Sequence, residues 1–241
     1  MDEFTLIKKY FKKLSNNNSG GKNLNDDVFF DKNKKLVVSI DTYNEKIHFP
    51  DFKSPNLVIK KIIRSSISDL ICKGVKPEYY FISASGNENH FTKKNLKKIS
   101  KSLNEEQKKY NLKLSGGDTV TSKKISFSIT TIGFSSNIIE RNKARLNDDI
   151  YVTGNIGDSF LGLQLIKKKI KISSNLKNYF INQFYCPNLP YTIYKEIDKF
   201  ANTSMDVSDG LISDMFKLIN KQKLSFEIDI NKIPMSNNLK N

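Results

Sequence analysis

Residues 55–73 constrain the fold most, because they predict a long helix with a carboxylate beside its apolar face. The apolar side chains recur at helical spacing over a broad face: Val58, Ile59, Ile62, Ile63, Ile67, Leu70 and Ile71. Gly74 and Pro77 then end the helix. Asp69 lies on or beside this face, where a carboxylate is costly unless a partner compensates it. Either a divalent cation or a hydrogen bond from Ser66 or neighbouring backbone meets that need.

Strand-type and helix-type patterns alternate along the chain, which predicts a mixed α/β fold. Apolar or alternating runs predict strands at residues 36–40, 79–85, 125–132, 150–153 and 225–230. Helical spacing predicts helices at residues 4–11, 55–73, 93–111 and 160–169, a helical stretch at 175–200 interrupted by prolines, and a helix from residue 211. Residues 15–21 lack apolar side chains and predict a mobile loop. We expect two domains, 1–146 and 147–241.

Composition excludes several classes of partner. The net charge is +15, but of the 40 basic residues only three are arginine. Specific nucleic-acid recognition favours clustered arginine, so we expect no nucleic-acid partner. No apolar run is long enough to span a bilayer, and residues 1–4 begin no signal-peptide pattern, so we expect no membrane partner. The cysteines Cys72 and Cys186 lack metal-ligand spacing, which indicates a reducing cytoplasm.

Residues 204–214 place two carboxylates and a hydroxyl directly before a helix. Asp206, Ser208 and Asp209 alternate with apolar residues, which predicts a strand end that breaks at Gly210. Strand-to-helix junctions gather backbone N–H groups and bind anions, while aspartates there suit a hard divalent cation. Taken alone, Ser208 or Asp209 is better explained as a helix cap.

Further aspartates also lie where a predicted loop or strand ends, or directly after glycines. Asp27 follows a polar loop and Asp41 ends the strand predicted at residues 36–40. Asp118 follows two glycines, whose missing side chains let the backbone approach a ligand closely. Taken alone, Asp27 also fits a solvated turn and Asp118 a glycine turn. Together with the segments above they predict a metal–polyphosphate site, to which Arg141 or Arg145 can add a phosphate contact and His48 a substrate contact.

The residues discussed above belong to an ordered set of segments. In chain order these are Asn25-Asp26-Asp27, Ser39-Ile40-Asp41-Thr42, His48-Phe49, Ser68-Asp69-Leu70, Gly116-Gly117-Asp118-Thr119, Arg141-x-x-Ala144-Arg145-x-x-Asp148, Val152-Thr153-Gly154-x-x-Gly157-Asp158-Ser159 and Met205-Asp206-Val207-Ser208-Asp209-Gly210-Leu211. This set resembles the thiamine-monophosphate kinase family, within the aminoimidazole-ribonucleotide-synthetase-like superfamily. Single motifs are weak, but the ordered set with matching spacing covers nearly the whole chain.

The resemblance implies ATP-dependent phosphorylation of thiamine monophosphate to thiamine diphosphate with several Mg²⁺ ions. It also implies a two-domain α/β fold and a homodimer joined through the amino-terminal sheets. By position, the implied metal ligands are Asp27, Ser39, Ile40, Asp41, Asp69, Asp118, Asp206 and Asp209. The implied ATP contacts are Gly117, Asp118, Arg141 and Ser208, and the implied substrate contact is His48.

The chain departs from the family pattern at several positions. Asn25, Ser66 and Tyr191 stand where the family usually has glycine, asparagine and arginine. Family members continue beyond the position that matches Asn241, so we expect an incomplete second domain that lacks part of the thiamine-binding segment. Two alternatives stay open: a non-catalytic nucleotide-binding or dimer-forming remnant, and another ATP-dependent enzyme of the superfamily.

Overall fold

A computed structural model of the chain describes residues 3–240, with side chains from Thr5 onward; Met1, Asp2 and Asn241 lie outside the described residues. The strands are β1 (Phe29–Asp31), β2 (Leu36–Asn44), β3 (Pro77–Gly86), β4 (Lys113–Thr121) and β5 (Ser126–Phe134). The α-helices are α1 (Glu3–Leu6), α2 (Pro55–Cys72), α3 (Lys93–Tyr110), α4 (Asp158–Ile166), α5 (Ser174–Tyr185), α6 (Leu211–Leu218) and α7 (Asn237–Lys240). Within residues 3–240, no helix combines the length and apolar character needed to cross a membrane.

The described strands form one open sheet in the order β1-β2-β5-β3-β4. Strands β2 and β5 pair antiparallel along their full length, from Leu36 opposite Phe134 to Asn44 opposite Ser126. Strand β3 pairs antiparallel with β5, whereas β4 runs parallel to β3. Helix α3 connects β3 to β4, since parallel neighbours need a crossover connection. The mixed α/β fold predicted from the sequence is confirmed.

Helix α2 covers one face of this sheet and forms the main core with it. Its Val58, Ile62 and Ile67 are fully buried and belong to one cluster with Phe127 and Ile129 of β5. Burying each such side chain contributes about 1.5–3 kcal/mol relative to exposure. This packing holds α2 against the inner face of the sheet, which we define as the face that carries Phe127 and Ile129. The opposite face is called the outer face.

A buried ion pair connects α2 to α3, and a hydrogen bond from the same arginine connects α2 to the segment after α5. Arg64 of α2 donates from Nε to Glu106 Oε2 of α3 at 2.8 Å, and a second guanidinium nitrogen donates to Glu106 Oε1 at 3.0 Å. The remaining guanidinium nitrogen donates to the carbonyl of Pro187 at 3.0 Å. Because a buried guanidinium is retained only with partners, this geometry fixes the position of α2 between the two segments.

Two predicted strands are wrong. Residues 150–153 and 225–229 adopt no regular secondary structure, and Ile230 begins the short 3₁₀-helix Ile230–Lys232. Tyr151 is 83% exposed. An alternating pattern reports a preference for extended backbone, but a strand also needs a neighbour that exchanges hydrogen bonds with it. Neither segment pairs with the sheet of the described residues.

Three further local predictions need correction. Residues 15–21 are not an open loop, because two 3₁₀ turns, Lys12–Ser15 and Ser19–Leu24, run through them and Gly20 is buried. The glycine turn that was the alternative interpretation of residues 116–119 is not formed; this segment is part of β4, since β3 offers it a parallel partner. Residues 204–208 are irregular rather than a strand end. In all three segments the conformation is set by contacts with residues distant in the sequence. A local sequence pattern carries no information about those contacts.

Candidate active site

Three carboxylates from distant parts of the chain meet beside the C-terminal half of α2. Asp27 precedes β1, Asp69 lies in α2, and Asp206 lies in the irregular segment before α6. Oxygen atoms of all three lie within 4.8 Å of one another. A set of oxygen donors at this spacing fits a hard divalent cation such as Mg²⁺. We call these three residues the aspartate trio.

Strand β2 supplies the next polar groups, because alternate residues of a strand share one face. Ser39 Oγ donates a hydrogen bond to Asp69 Oδ2. Asp41 Oδ2 accepts a hydrogen bond of 2.8 Å from Tyr43 Oη, which lies 2.9 Å from Ser66 Oγ of α2. The side chain of Ile40 points to the outer face and is 70% exposed, so Ile40 can reach a cation only through its backbone.

Burial leaves this group of carboxylates under electrostatic strain. It raises the pKa of Asp69 well above its ordinary value, and the charges of Asp206 and Asp41 raise it further. Burial also raises the pKa of Asp206, although a hydrogen bond of 2.6 Å from Ser68 Oγ opposes the shift. The pKa of Asp41 is raised by burial as well. A bound cation would relieve these costs, so the residues present fit Mg²⁺.

Lys73 is a residue of this centre that the sequence analysis missed. Its fully buried ammonium lies 2.7 Å from Asp27 Oδ2 and 2.9 Å from Asp26 Oδ1, and it donates to the carbonyl of Ser204 at 2.8 Å. One signal was available in the sequence, because Lys73 follows Asp69 by four residues and therefore lies on the same side of α2. In the sequence, Lys73 indicates only the end of the helix.

Asp26 and Arg141 complete the packing around Asp27. Asp26 Oδ1 accepts a hydrogen bond from the backbone N of Asp27 at 2.8 Å, and its Oδ2 accepts one from the backbone N of Arg141 at 2.9 Å. Arg141 Nε donates to Asp27 Oδ2 at 3.1 Å, and a terminal guanidinium nitrogen contacts Asp27 Oδ1. The family resemblance implies an ATP contact for Arg141; here its partner is Asp27, and the ATP contact stays a prediction.

Asp214 organises the turn that carries Ser208 and Asp209. Its Oδ2 accepts hydrogen bonds from the backbone N of Ser208, Asp209 and Gly210 at 2.8, 2.9 and 3.1 Å. Its Oδ1 lies 2.7 Å from Lys217 Nζ, which also contacts the largely exposed carboxylate of Asp209. This role was also missed, although a carboxylate in the first turn of a helix is a recognised acceptor for the free N–H groups there.

Asp118 is not brought to the aspartate trio. It lies opposite Ser83 in β3, which lies opposite Ser128 in β5, which in turn lies opposite Thr42 in β2. This row is on the outer face, where Thr42 Oγ1 and Ser128 Oγ are 2.8 Å apart, whereas Asp41 is on the inner face. Gly117, which neighbours Asp118, lies in the same exposed strand β4. Their contacts with metal and ATP stay predictions.

His48 lies close to the centre but outside it. Its exposed ring stands edge-on to Tyr43, with ring centroids 5.6 Å apart, and its Nδ1 accepts a hydrogen bond of 2.9 Å from the backbone N of Asn44. Tyr43 in turn holds Asp41. This position is consistent with the predicted substrate contact, which nothing in the described contacts tests.

The fold and this acidic centre agree with a defined class of proteins. Residues 25–135 match the family described as AIR synthase related protein, N-terminal domain. That match covers β1 to β5 and includes Asp27, Asp41 and Asp69.

More extensive similarity specifies the family. The chain is 35% identical over 241 residues to the thiamine-monophosphate kinase of Buchnera aphidicola (subspecies Acyrthosiphon pisum), covering 97% of this chain and 74% of the relative. The chain therefore belongs to the thiamine-monophosphate kinase family, and the resemblance inferred from its motifs is confirmed. It spans about three quarters of the length of that relative.

Solved structures agree with this assignment. The thiamine monophosphate kinase of Aquifex aeolicus superposes with a TM-score of 0.88 at 30% identity, covering 99% of this chain and 78% of that one. AaThiL complexed with AMPPCP and TMP superposes with a TM-score of 0.89 at 30% identity, covering 99% and 76% of the two chains. The whole described fold, not the matched domain alone, is therefore shared with these kinases.

Proposed function

We propose that this chain transfers the terminal phosphoryl group of ATP to thiamine monophosphate and so forms thiamine diphosphate. Family membership supports the reaction. The observation that connects it to particular residues is the meeting of Asp27, Asp69 and Asp206 within 4.8 Å. AaThiL was solved with AMPPCP, an ATP analogue, together with TMP, which supports the same pair of substrates here.

The reaction needs positioning more than proton transfer. The nucleophile is an oxygen of the substrate's own phosphate, which is largely ionised near neutral pH because the second pKa of a phosphate monoester is about 6. No strong protein base is required. The obstacle is the repulsion between two polyanions that must be aligned, so catalysis consists of holding them in line and neutralising their charge.

We propose that the aspartate trio and Asp41 hold Mg²⁺, with Asp209 and the backbone around Ser39 and Ile40 adding ligands. Bound Mg²⁺ supplies charge neutralisation for the phosphates. The chain's own hydroxyl groups orient the carboxylates: Ser39 donates to Asp69, Ser68 donates to Asp206, and Tyr43 donates to Asp41. Such outer hydrogen bonds fix the direction in which a ligand oxygen points.

We assign the ATP contacts to Gly117, Asp118, Arg141 and Ser208, and the substrate contact to His48. The backbone around Ser208 is held by Asp214 Oδ2, which accepts hydrogen bonds from the N–H groups of Ser208, Asp209 and Gly210. Because these N–H groups are already bonded to a carboxylate, the ATP contact that we propose for Ser208 is made by its hydroxyl on the exposed turn. Asp118 is also assigned to metal, although its position on the outer face separates it from the trio.

Substrate-dependent ADP release tests the proposal. With ATP and Mg²⁺, we expect ADP release that depends on thiamine monophosphate and stops in excess EDTA. Unphosphorylated thiamine is the matched control, because it lacks the attacking phosphate oxygen and should give no release above background. ADP release that ignores thiamine monophosphate would contradict the assignment. Magnesium-dependent ATP binding without any turnover would instead favour the non-catalytic alternative.

We also propose a homodimer formed through the outer face of the sheet. Ile40 of β2 lies opposite Thr130 of β5, which lies opposite Phe81 of β3, so the two apolar side chains share one row. Ile40, Phe81 and Phe134 are 70%, 37% and 48% exposed. Exposed apolar side chains on one sheet face are typical of an interface, and a second copy presents the same surface in return.

Charge placed on this face should separate the dimer. For Ile40→Glu we expect a monomer, because two carboxylates would be buried near the symmetry axis without partners. Size-exclusion chromatography with light scattering measures the mass directly. Ile47→Glu is the matched control, since Ile47 is 75% exposed but lies outside the sheet. A dimer that survives Ile40→Glu would exclude this interface.

We propose the cytoplasm as the location of the chain. Its co-substrate ATP is abundant there. Cys72 and Cys186 are both free thiols, as a reducing compartment favours.

A further inference from the structure

We propose that Lys73 is a resident cation of the acidic centre, which occupies the Asp26–Asp27 carboxylates in place of an additional divalent ion. This inference deepens the proposed function and rests on its metal site. Lys73 neutralises the Asp26–Asp27 pair, so that no divalent ion binds between these two carboxylates. Metal is taken up by the aspartate trio and Asp41.

The contacts of Lys73 use its full hydrogen-bonding capacity. A lysine ammonium has three N–H donors and no acceptor. Its three oxygen partners are Asp27 Oδ2 at 2.7 Å, Asp26 Oδ1 at 2.9 Å and the carbonyl of Ser204 at 2.8 Å. The side chain is 0% exposed, so no donor is left to water. A buried ammonium of this kind is retained only when it is fully paired, which makes it a fixed part of the centre.

The positive charges of the centre are distributed unevenly. Among the ion pairs of the described residues, those of Lys73 are to Asp26 and Asp27, and that of Arg141 is to Asp27. Asp69 and Asp206 have no ion pair there and receive hydrogen bonds from Ser39 and Ser68 instead. Within the described residues, direct ion pairs therefore reach Asp26 and Asp27 but not Asp69 and Asp206.

This distribution limits how many divalent ions the centre can take up. An ion placed between Asp26 and Asp27 would meet the ammonium of Lys73 at the same two carboxylates, and like charges repel at such distances. Lys73→Met removes the ammonium while keeping an unbranched side chain of similar length. The variant leaves the paired carboxylates of Asp26 and Asp27 with less compensation, so they become available to metal.

Metal stoichiometry tests the inference without reference to catalysis. The probe is Mn²⁺ alone, titrated into the full chain and followed through the electron paramagnetic resonance signal of the free ion. We expect Lys73→Met to bind one Mn²⁺ more per chain than the unsubstituted protein. Lys53→Met is the matched control, because Lys53 is 86% exposed and pairs with Asp51; it should bind the same number as the unsubstituted protein. Equal stoichiometry in Lys73→Met and the unsubstituted protein overturns the inference.

A second variant keeps the test decisive if Lys73→Met does not fold. Asp26→Asn retains the shape of the side chain and removes its charge. If Asp26 is a counter-ion of Lys73, Asp26→Asn binds as many Mn²⁺ ions as the unsubstituted protein; the loss of one ion would make Asp26 a metal ligand and overturn the inference. If the unsubstituted protein binds no Mn²⁺, the proposed metal site itself is contradicted. The inference about Lys73 is tested separately, by comparing the number of Mn²⁺ ions that each variant binds with the number that the unsubstituted protein binds.

Discussion

Asp69→Asn is expected to reduce turnover by on the order of 10³-fold or more, because metal charge stabilisation is worth several kcal/mol and about 1.4 kcal/mol corresponds to a factor of ten. Asp69 belongs to the aspartate trio and lies in α2, which packs in the main core. Asparagine has nearly the same shape and can still accept the hydrogen bond from Ser39. The fold should therefore stay intact while metal affinity is lost.

The same substitution is expected to make the stability of the metal-free protein depend less on pH. Burial raises the folded-state pKa of Asp69 above its unfolded value. Such a carboxyl contributes stability that is present below the unfolded pKa and is lost as the pH rises through the folded pKa. Asp69→Asn has no carboxyl to ionise and so does not lose stability in this way. Stability in EDTA should therefore fall less with rising pH in Asp69→Asn than in the unsubstituted protein.

Two measurements check this pair of effects. The first is kcat with thiamine monophosphate at saturating Mg²⁺, and the second is Tm in EDTA from below pH 4 to pH 8. Asp31→Asn is the matched control, because Asp31 lies at the end of β1 and pairs with the exposed Lys34. Asp31→Asn should leave kcat unchanged, and its Tm in EDTA should depend on pH in the same way as that of the unsubstituted protein. Normal turnover of Asp69→Asn at ordinary Mg²⁺ concentrations would remove Asp69 from the metal site.

Asp214→Ala is expected to give the second large effect, a destabilisation of about 3 kcal/mol together with a rise in the KM for ATP. The carboxylate of Asp214 is 1% exposed. It accepts hydrogen bonds from three backbone N–H groups and pairs with the ammonium of Lys217. Removing it leaves these donors without their acceptor, and the cost of breaking such buried charged contacts is about 3–5 kcal/mol at full burial. Lys217 stays partly exposed, so the lower end of that range applies.

The functional part of this effect is local. Without Asp214 the turn at Ser208 and Asp209 loses the acceptor that holds it, so we expect faster amide hydrogen exchange at residues 208–210. Ser213→Ala is the matched control, because Ser213 is the exposed neighbour of Asp214 in α6. Unchanged exchange and an unchanged KM for ATP in Asp214→Ala would show that this turn is held by other contacts and does not bind nucleotide.

Local sequence patterns correctly predicted the helix and the strands that pack in the core or pair within the sheet. The helical spacing at residues 55–73 predicted α2 to within one residue, and the runs at 36–40, 79–85 and 125–132 each fall in or largely within a real strand. The same kind of pattern failed at residues 150–153 and 225–230. The difference is that β2 and β3 both pair with β5, whereas the two failed segments do not pair with the sheet of the described residues.

The sequence by itself determined the family, the mixed α/β class and the chemical type of the site, because these follow from residue types in a fixed order. Only the tertiary structure decided which of the predicted ligands meet. It joined Asp27, Asp69 and Asp206, put Asp118 on the outer face of the sheet, and brought Lys73 to Asp26 and Asp27. The physical reason is that coordination and ion pairing depend on distances of a few ångströms between residues far apart in the chain, and packing sets those distances.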